Sequence, residues 1–317
     1  MGYYDEAYSF FEFCKRALHP SGYLMHKYRA DGALGSSWHP YVHGSEAAAP
    51  IQEDETALVV FVFTQLYSLS KDNSLIKNFY HSMIKPMANF MAEFIDETTG
   101  LPKQSYDLWE ERFAINTHTV AVTYAALLAA SELAITVGDD DSAVKWSTAA
   151  TDIQQAAKTK LYNSERGALY RALYVNDGVV TPDPTLDTAA IFGSFMFGLF
   201  NSNSPEISSS IALMEQVFNE TPFNPGLPRY ENDSYRNGDP QNSLGNWWYI
   251  TTLWKAHYNI ETGSANKAHE SINWIHRHML GTSVMGEQIT PGTENIISPA
   301  PLTWSHAEYV GTLIDLL

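Results

Sequence analysis

Apolar residues recur at spacings of three and four over residues 4–18, 55–69, 75–95, 116–137 and 142–161, which predicts helices with a buried face. The same spacing returns over 188–200, 205–218, 247–260, 265–279 and 301–316. Two kinds of helix alternate. Stretches such as 56–66 and 121–134 are apolar or small on every side, whereas 142–161 carries a stripe. A helix without a polar face belongs inside, and a striped one faces water, so the order reads outer, inner, outer, inner. That order predicts an all-α chain of the α/α toroid type. Residues 168–180, with β-branched and aromatic residues around Asn176-Asp177-Gly178, predict one hairpin as a loop decoration.

The connections alternate as well. Those over 21–54, 98–115, 162–186, 221–246 and 280–301 are long and rich in Gly, Pro, Trp and acidic residues, and the others are short. Long loops on a rigid scaffold are where sites form. Two acidic motifs lie in them: Tyr106-Asp107-Leu108-Trp109-Glu110-Glu111 and Gly286-Glu287-Gln288. A tryptophan beside Glu110 can desolvate that carboxyl and keep it protonated, while a carboxylate among amides stays ionised. Glycoside hydrolysis uses this division of labour. The competing reading is structural: acidic residues favour the first turn of a helix, tryptophan fills cores, and Asp54 and Glu55 then serve as helix-start residues.

Composition narrows the partners. The chain has 317 residues with 44% hydrophobic content, enough for one large domain, read here as 1–317. Its 36 acidic against 19 basic residues give a net charge of −17, which disfavours nucleic acid and anionic membranes and suits a neutral polyol. Cys14 is the lone cysteine, which leaves no intramolecular disulfide and no cysteine cluster for zinc; its helical spacing places it in the interior. His118 and the other histidines show no paired ligand spacing, so neither a catalytic metal nor a cofactor is expected. No uninterrupted apolar run approaches the ~20 residues of a membrane span, and the start of the chain lacks a basic stretch followed by an apolar one, so a cytoplasmic location is favoured. Eighteen tyrosines and eight tryptophans offer flat faces for sugar rings, although most aromatics simply pack.

Several separate segments, in order, carry a resemblance. They are Trp38-His39-Pro40 with Pro50-Ile51-Gln52-Glu53-Asp54-Glu55-Thr56; the motif at 106–111; Pro228-Arg229-Tyr230-Glu231-Asn232-Asp233 with Gly245-Asn246-Trp247-Trp248; and Gly286-Glu287-Gln288 with the run from Pro301 to Tyr309. Together they resemble glycoside hydrolase family 15, the glucoamylase family, in its prokaryotic form. The resemblance implies an (α/α)6 barrel and inversion at the anomeric centre. It implies Glu110 as the general acid, Glu287 as the general base and Glu111 as a sugar-hydroxyl ligand. Arg229 and Tyr230 match the family's substrate-binding pair, Trp248 its tryptophan after Gly-Asn, and Gln52 a loop that shapes the sugar sites; Trp38 and Trp109 are the expected stacking walls. Trp247 departs from the family, standing where a proline is common, and Trp304 and His306, at the start of what reads as a buried helix, are expected to pack.

A larger departure concerns the start of the chain. The family's Arg-Asp motif, which grips the terminal sugar, has no counterpart, since Arg29-Ala30-Asp31 falls in a different loop. The resemblance covers about ten of the family's twelve helices, so the expectation is a toroid that lacks its first helix pair and turns over weakly or not at all by itself. The expected activity is an exo-acting, inverting α-glucosidase that releases β-D-glucose from the non-reducing ends of α-glucans or oligosaccharides. Alternatives are a trehalase or glucodextranase of the same family, or a non-catalytic carbohydrate-binding or regulatory module on a degenerate barrel.

Overall fold

The computed structural model describes residues 2–43, 46–221, 223–237, 244–293 and 295–317. The described chain divides into two compact units, residues 1–161 with 172–182 and residues 162–171 with 183–317.

In the first unit α1 (Tyr4–Ala17) leads to a short hairpin of β1 (Val42–His43) and β2 (Glu46–Ala47). Then come α2 (Glu53–Ser70), α3 (Asn73–Phe79) and α4 (Lys85–Glu93), followed by β3 (Ser105–Tyr106), β4 (Phe113–Asn116), α5 (Thr117–Val137) and α6 (Asp140–Lys160). The helix expected over 75–95 is interrupted. Between α3 and α4 lies one π-helical turn, Tyr80–Ile84, in which the Lys85 N–H reaches the Tyr80 carbonyl. Pro86 supplies the reason: it has no N–H to donate, and its ring crowds the carbonyl four residues back, so the turn before it widens.

The apolar helix α5 is buried on nearly all sides by α2, α4 and α6. It is the one described helix long and apolar enough to cross a membrane, yet here it fills the middle of a folded unit. Gly138 ends it with φ +76°, donating its N–H to the Ala134 and Ile135 carbonyls, a conformation that a side chain would strain. Asp139 then caps α6 and accepts hydrogen bonds from Lys85 (2.6 Å) and Tyr80 (2.8 Å), pinning the π-turn to the next helix. The other apolar helix, α2, is less covered. Its Val62 and Leu69 are 44% and 79% exposed, and a cavity of about 410 Å³ borders it, lined on the apolar side by Phe10, Phe13, Leu58, Val59 and Val62.

The second unit holds β5 (Tyr162–Asn163) and β6 (Ala168–Leu169). The chain next returns to the first unit for β7 (Ala172–Asn176) and β8 (Val179–Asp183). The predicted hairpin is present there, turned by Asp177 and Gly178, both left-handed at φ +50° and +75°, as a two-residue hairpin loop requires. It is more than a decoration, because β3, β4, β7 and β8 form one four-stranded sheet, with Tyr106 opposite Phe113 and Ile115 opposite Leu173.

The second unit continues with α7 (Thr188–Met196), α8 (Pro205–Val217), β9 (Trp247–Trp248), α9 (Tyr249–Glu261), α10 (Ala265–His278), β10 (Gln288–Thr290), β11 (Asn295–Ile296) and α11 (Thr303–Leu316). Trp247 and Trp248 are a strand rather than a helix start, since β10 takes their backbone, with Gln288 opposite Trp248 and Ile289 opposite Trp247. Tyr249, Leu253, Trp274, Ile275, Met285 and Ile289 form the core between α9, α10 and that sheet. Within α9 the ammonium of Lys255, fully buried, pairs with Glu215 (2.7 Å) and Glu220 (2.6 Å). In α11 only Ser305 and Thr312 are buried, so this helix covers the unit more than it fills it.

Candidate active site

Each unit carries one of the two acidic motifs. In the first unit residues 107–112 form the loop between β3 and β4. Asp107 organises it. Its N–H bonds to the Arg112 carbonyl (2.9 Å), and its carbonyl accepts the Glu110 N–H (2.8 Å). Its side-chain Oδ1 accepts the N–H groups of Glu111 (2.7 Å) and Arg112 (2.8 Å). Asp at the first position of a turn does this readily because its short side chain reaches the amides ahead of it. The fold places Glu110 at φ +62°, a left-handed conformation that costs a residue with a side chain about 1–2 kcal/mol. Strain of this kind concentrates at functional positions. Trp109 beside it is buried, Glu110 is half-buried, and Glu111 faces solvent.

Gln52 ties this loop to α2. It stands at the N-cap of α2, 3% exposed, and donates its side-chain N–H to the Asp107 carbonyl (3.0 Å). That bond fixes the amide's direction, so its Oε1 meets His26 Nδ1 (2.5 Å) and His39 Nε2 (3.3 Å). Burial pushes His39 below the usual histidine range, against the opposing pull of the Gln52 hydrogen bond. His39 lies flat on Tyr106, with ring centroids 3.7 Å apart, which closes the base of the cluster. Trp38 is 60% exposed, edge-on to His26, with the Lys27 ammonium over its ring.

The first turn of α2 contributes three carboxyls. Burial raises Asp54 to about 7 and Glu55 to about 9, and the proximity of Glu110 adds to both. Glu53, wholly buried, is driven well above the usual range by desolvation and then by Asp54. These residues do start the helix, and they also set a cluster of carboxyls that resists ionisation next to Glu110.

The second unit holds the other motif. Glu287 directly precedes β10, and its Oε2 accepts the side-chain N–H of Gln288 (3.1 Å); Gln288 Oε1 in turn accepts from Asn246 (2.7 Å). This relay fixes the direction of the carboxylate. Trp248, 3% exposed, stands opposite Gln288 in the ladder. Arg229 is also 3% exposed and holds Asp233 with two parallel bonds of 2.8 Å, its guanidinium about 5 Å from the rings of Tyr230, Tyr235 and Trp248. Tyr230 lies under the Arg171 guanidinium (4.0 Å), and Arg171 faces Asp187. Arg229 and Tyr230 thus belong to a rigid aromatic and cationic wall.

Sequence reasoning missed Asp107 and His26 as organisers. The turn-forming habit of aspartate gave a signal for the first. The second had none, since a lone histidine outside a motif carries no pattern.

The described fold is that of α/α-barrel glycosidases. It superposes on a bacterial glucoamylase determined with acarbose at a TM-score of 0.77 and 22% identity, covering 98% of this chain and 45% of that one. It also superposes on the Hormoconis resinae glucoamylase at 0.68 and 17%, covering 96% of this chain and 60% of that one. The family model of glycosyl hydrolases family 15 matches residues 25–281, and the chain belongs to that family. An uncharacterized glycosyl hydrolase of Methanocaldococcus jannaschii is 23% identical over 315 residues, 95% of this chain and 46% of that protein. Glucoamylase 1 of Rhizopus oryzae is 30% identical over 156 residues, 46% of this chain and 25% of that protein. The chain spans about half the length of the first of these relatives, or less.

Proposed function

We propose that residues 1–317 form part of a single catalytic domain of an exo-acting, inverting α-glucosidase that releases β-D-glucose from the non-reducing ends of α-glucans or oligosaccharides. Glu110 is the general acid that protonates the glycosidic oxygen, and Glu287 is the general base that takes a proton from the attacking water. The observation that carries the assignment is the contrast between their settings. Glu110 sits on a strained loop apex beside buried Trp109 and the protonation-prone Asp54 and Glu55. Glu287 instead receives an amide N–H from Gln288. Two carboxyls in unlike surroundings are suited to the separate roles of acid and base. Inversion needs the two carboxyls roughly 6.5–9.5 Å apart, with the water between them.

The remaining residues take supporting roles. Exposed Trp38 offers a ring face to a sugar, Glu111 reaches a hydroxyl from solvent, and Arg229, Tyr230 and Trp248 line the wall against which the substrate rests. Gln52 and buried Trp109 hold the Glu110 loop in shape. The glucoamylase bound to acarbose supports an oligosaccharide as the ligand class. The test is glucose release from maltose, isomaltose, trehalose and soluble starch by the wild type, Glu110→Gln and Glu287→Gln. Release from maltose and starch, lost in both variants, is expected. Release from trehalose or isomaltose alone moves the specificity to a trehalase or glucodextranase, and sugar binding without release in any case contradicts the enzymatic reading.

A further inference from the structure

Like His39, His26 meets the Gln52 side-chain oxygen, and it also faces Glu110. Its side chain is 4% exposed, yet it belongs to a loop with no regular secondary structure. The Gln52 amide, oriented by its own bond to the Asp107 carbonyl, turns Oε1 to His26 Nδ1. In the neutral ring the proton therefore lies on Nδ1, and Nε2 carries the lone pair. That Nε2 is buried without a hydrogen-bond partner among the described residues, and the Glu110 carboxyl faces it with Oε2 at 4.0 Å. A buried acceptor left without a donor costs free energy, so the arrangement calls for a proton-bearing group to face it. The terminal torsion of a glutamate is broad, and a small turn of the 38% exposed Glu110 closes the gap.

We propose that His26 is a positioning residue for Glu110: its Nε2 accepts the O–H of the Glu110 carboxyl and holds that group, in its acid form, ready to turn to the glycosidic oxygen. The inference rests on the reading of Glu110 as the acid. The titratable groups against the ring are Glu55 on α2 (3.8 Å from Nδ1), His39 (ring centroids 4.1 Å apart) and Glu110 itself, with Cys14 of α1 and Tyr28 lining the cavity behind. Glu55 and Cys14 are both raised by burial, to about 9 and about 11, so neither presents a charge at neutral pH that would overrule the contact.

Two variants separate the two nitrogens. In His26→Asn the amide N–H replaces Nδ1 and keeps the Gln52 bond but removes the acceptor aimed at Glu110. In His26→Gln the longer side chain places a carbonyl near the Nε2 position and keeps an acceptor. The readout is the titration of the Glu110 carboxyl carbon, followed by NMR in protein labelled at glutamate and assigned by the loss of that signal in Glu110→Gln. The midpoint is expected to fall by about half a unit to one unit in His26→Asn, the equivalent of one hydrogen bond to the acid form, and to stay near wild type in His26→Gln. The alkaline limb of the kcat/KM profile follows the same shift. An unchanged midpoint in His26→Asn overturns the inference, and a raised one overturns it by showing a cationic ring. Undiminished hydrolysis by Glu110→Gln would sink the acid assignment itself, while the NMR midpoint judges the His26 contact without any turnover.

Discussion

Asp107→Ala is the perturbation that most directly probes how the Glu110 loop is held. The substitution deletes the acceptor for the Glu111 and Arg112 amides, at 2.7 and 2.8 Å, and leaves the backbone bonds from Asp107 to Glu110 and Arg112 in place. Hydrogen bonds to a charged acceptor are worth about 1.5–3 kcal/mol each, so two give an upper bound on the order of 3–6 kcal/mol. Glu111 and Arg112 are exposed, so water takes over part of the demand, and a loss of about 2–3 kcal/mol is expected. Asp107→Asn keeps an oxygen at the same position and should cost about 1 kcal/mol, the difference between a charged and a neutral acceptor. Once the loop loosens, the left-handed Glu110 relaxes toward ordinary backbone, and a displacement of about 1 Å at a reacting group can cost roughly a hundredfold in rate. Urea unfolding at unchanged m-value reads the stability, and turnover of a maltooligosaccharide reads the rate. Asp107→Ala as stable as the wild type, or Asp107→Asn as damaging as Asp107→Ala, would refute the reasoning.

Three further outcomes follow from the same structure. Lys255→Met leaves Glu220 without its buried cation and should destabilise by about 3–5 kcal/mol in urea, with much of the loss recovered in Lys255→Met combined with Glu220→Gln. His257 is opposed in its charged form by burial, but the carboxylates of Glu308 and Asp315, each 2.9 Å from a ring nitrogen, outweigh that and raise it above its ordinary value. Its contribution is therefore complete below the unfolded histidine range and lost as pH rises through the raised folded value; the wild type should lose more Tm than His257→Gln between about pH 6 and pH 8. Cys14, 3% exposed and raised to about 11, should resist a thiol reagent such as iodoacetamide in the folded protein and react only in denaturant, and rapid labelling of the native chain would contradict its burial.

The helices were legible because 3.6-residue periodicity needs only a long window, and every predicted helix is present with ends shifted by a few residues or, over 75–95, interrupted by the π-turn at Tyr80–Ile84. The strands were not, because β3 and β9 are two residues long and no alternation can be read from two positions. Trp247-Trp248 extended an apolar run into α9, and only the opposing Gln288-Ile289 segment, some forty residues away, decides that the pair is a strand. The hairpin at 172–183 was legible from Asn-Asp-Gly, but its place beside the β3–β4 loop depends on long-range pairing. In the candidate site the acidic residues stood out by type and company. Their supports did not: the roles of Gln52 and His26 arise from hydrogen bonds between segments far apart in sequence, while Asp107 acts within its own turn.

The measurement closest to the central claim is the anomeric configuration of the first glucose released. Maltose is incubated with protein at high concentration and followed by proton NMR before mutarotation, with Glu110→Gln and Glu287→Gln run in parallel. An inverting pair of carboxyls predicts β-glucose as the initial product, reduced by about two to four orders of magnitude in each variant. Initial α-glucose in excess of the anomeric mixture that the reducing-end unit of maltose itself releases, or β-glucose formed equally well without either carboxyl, would contradict the account.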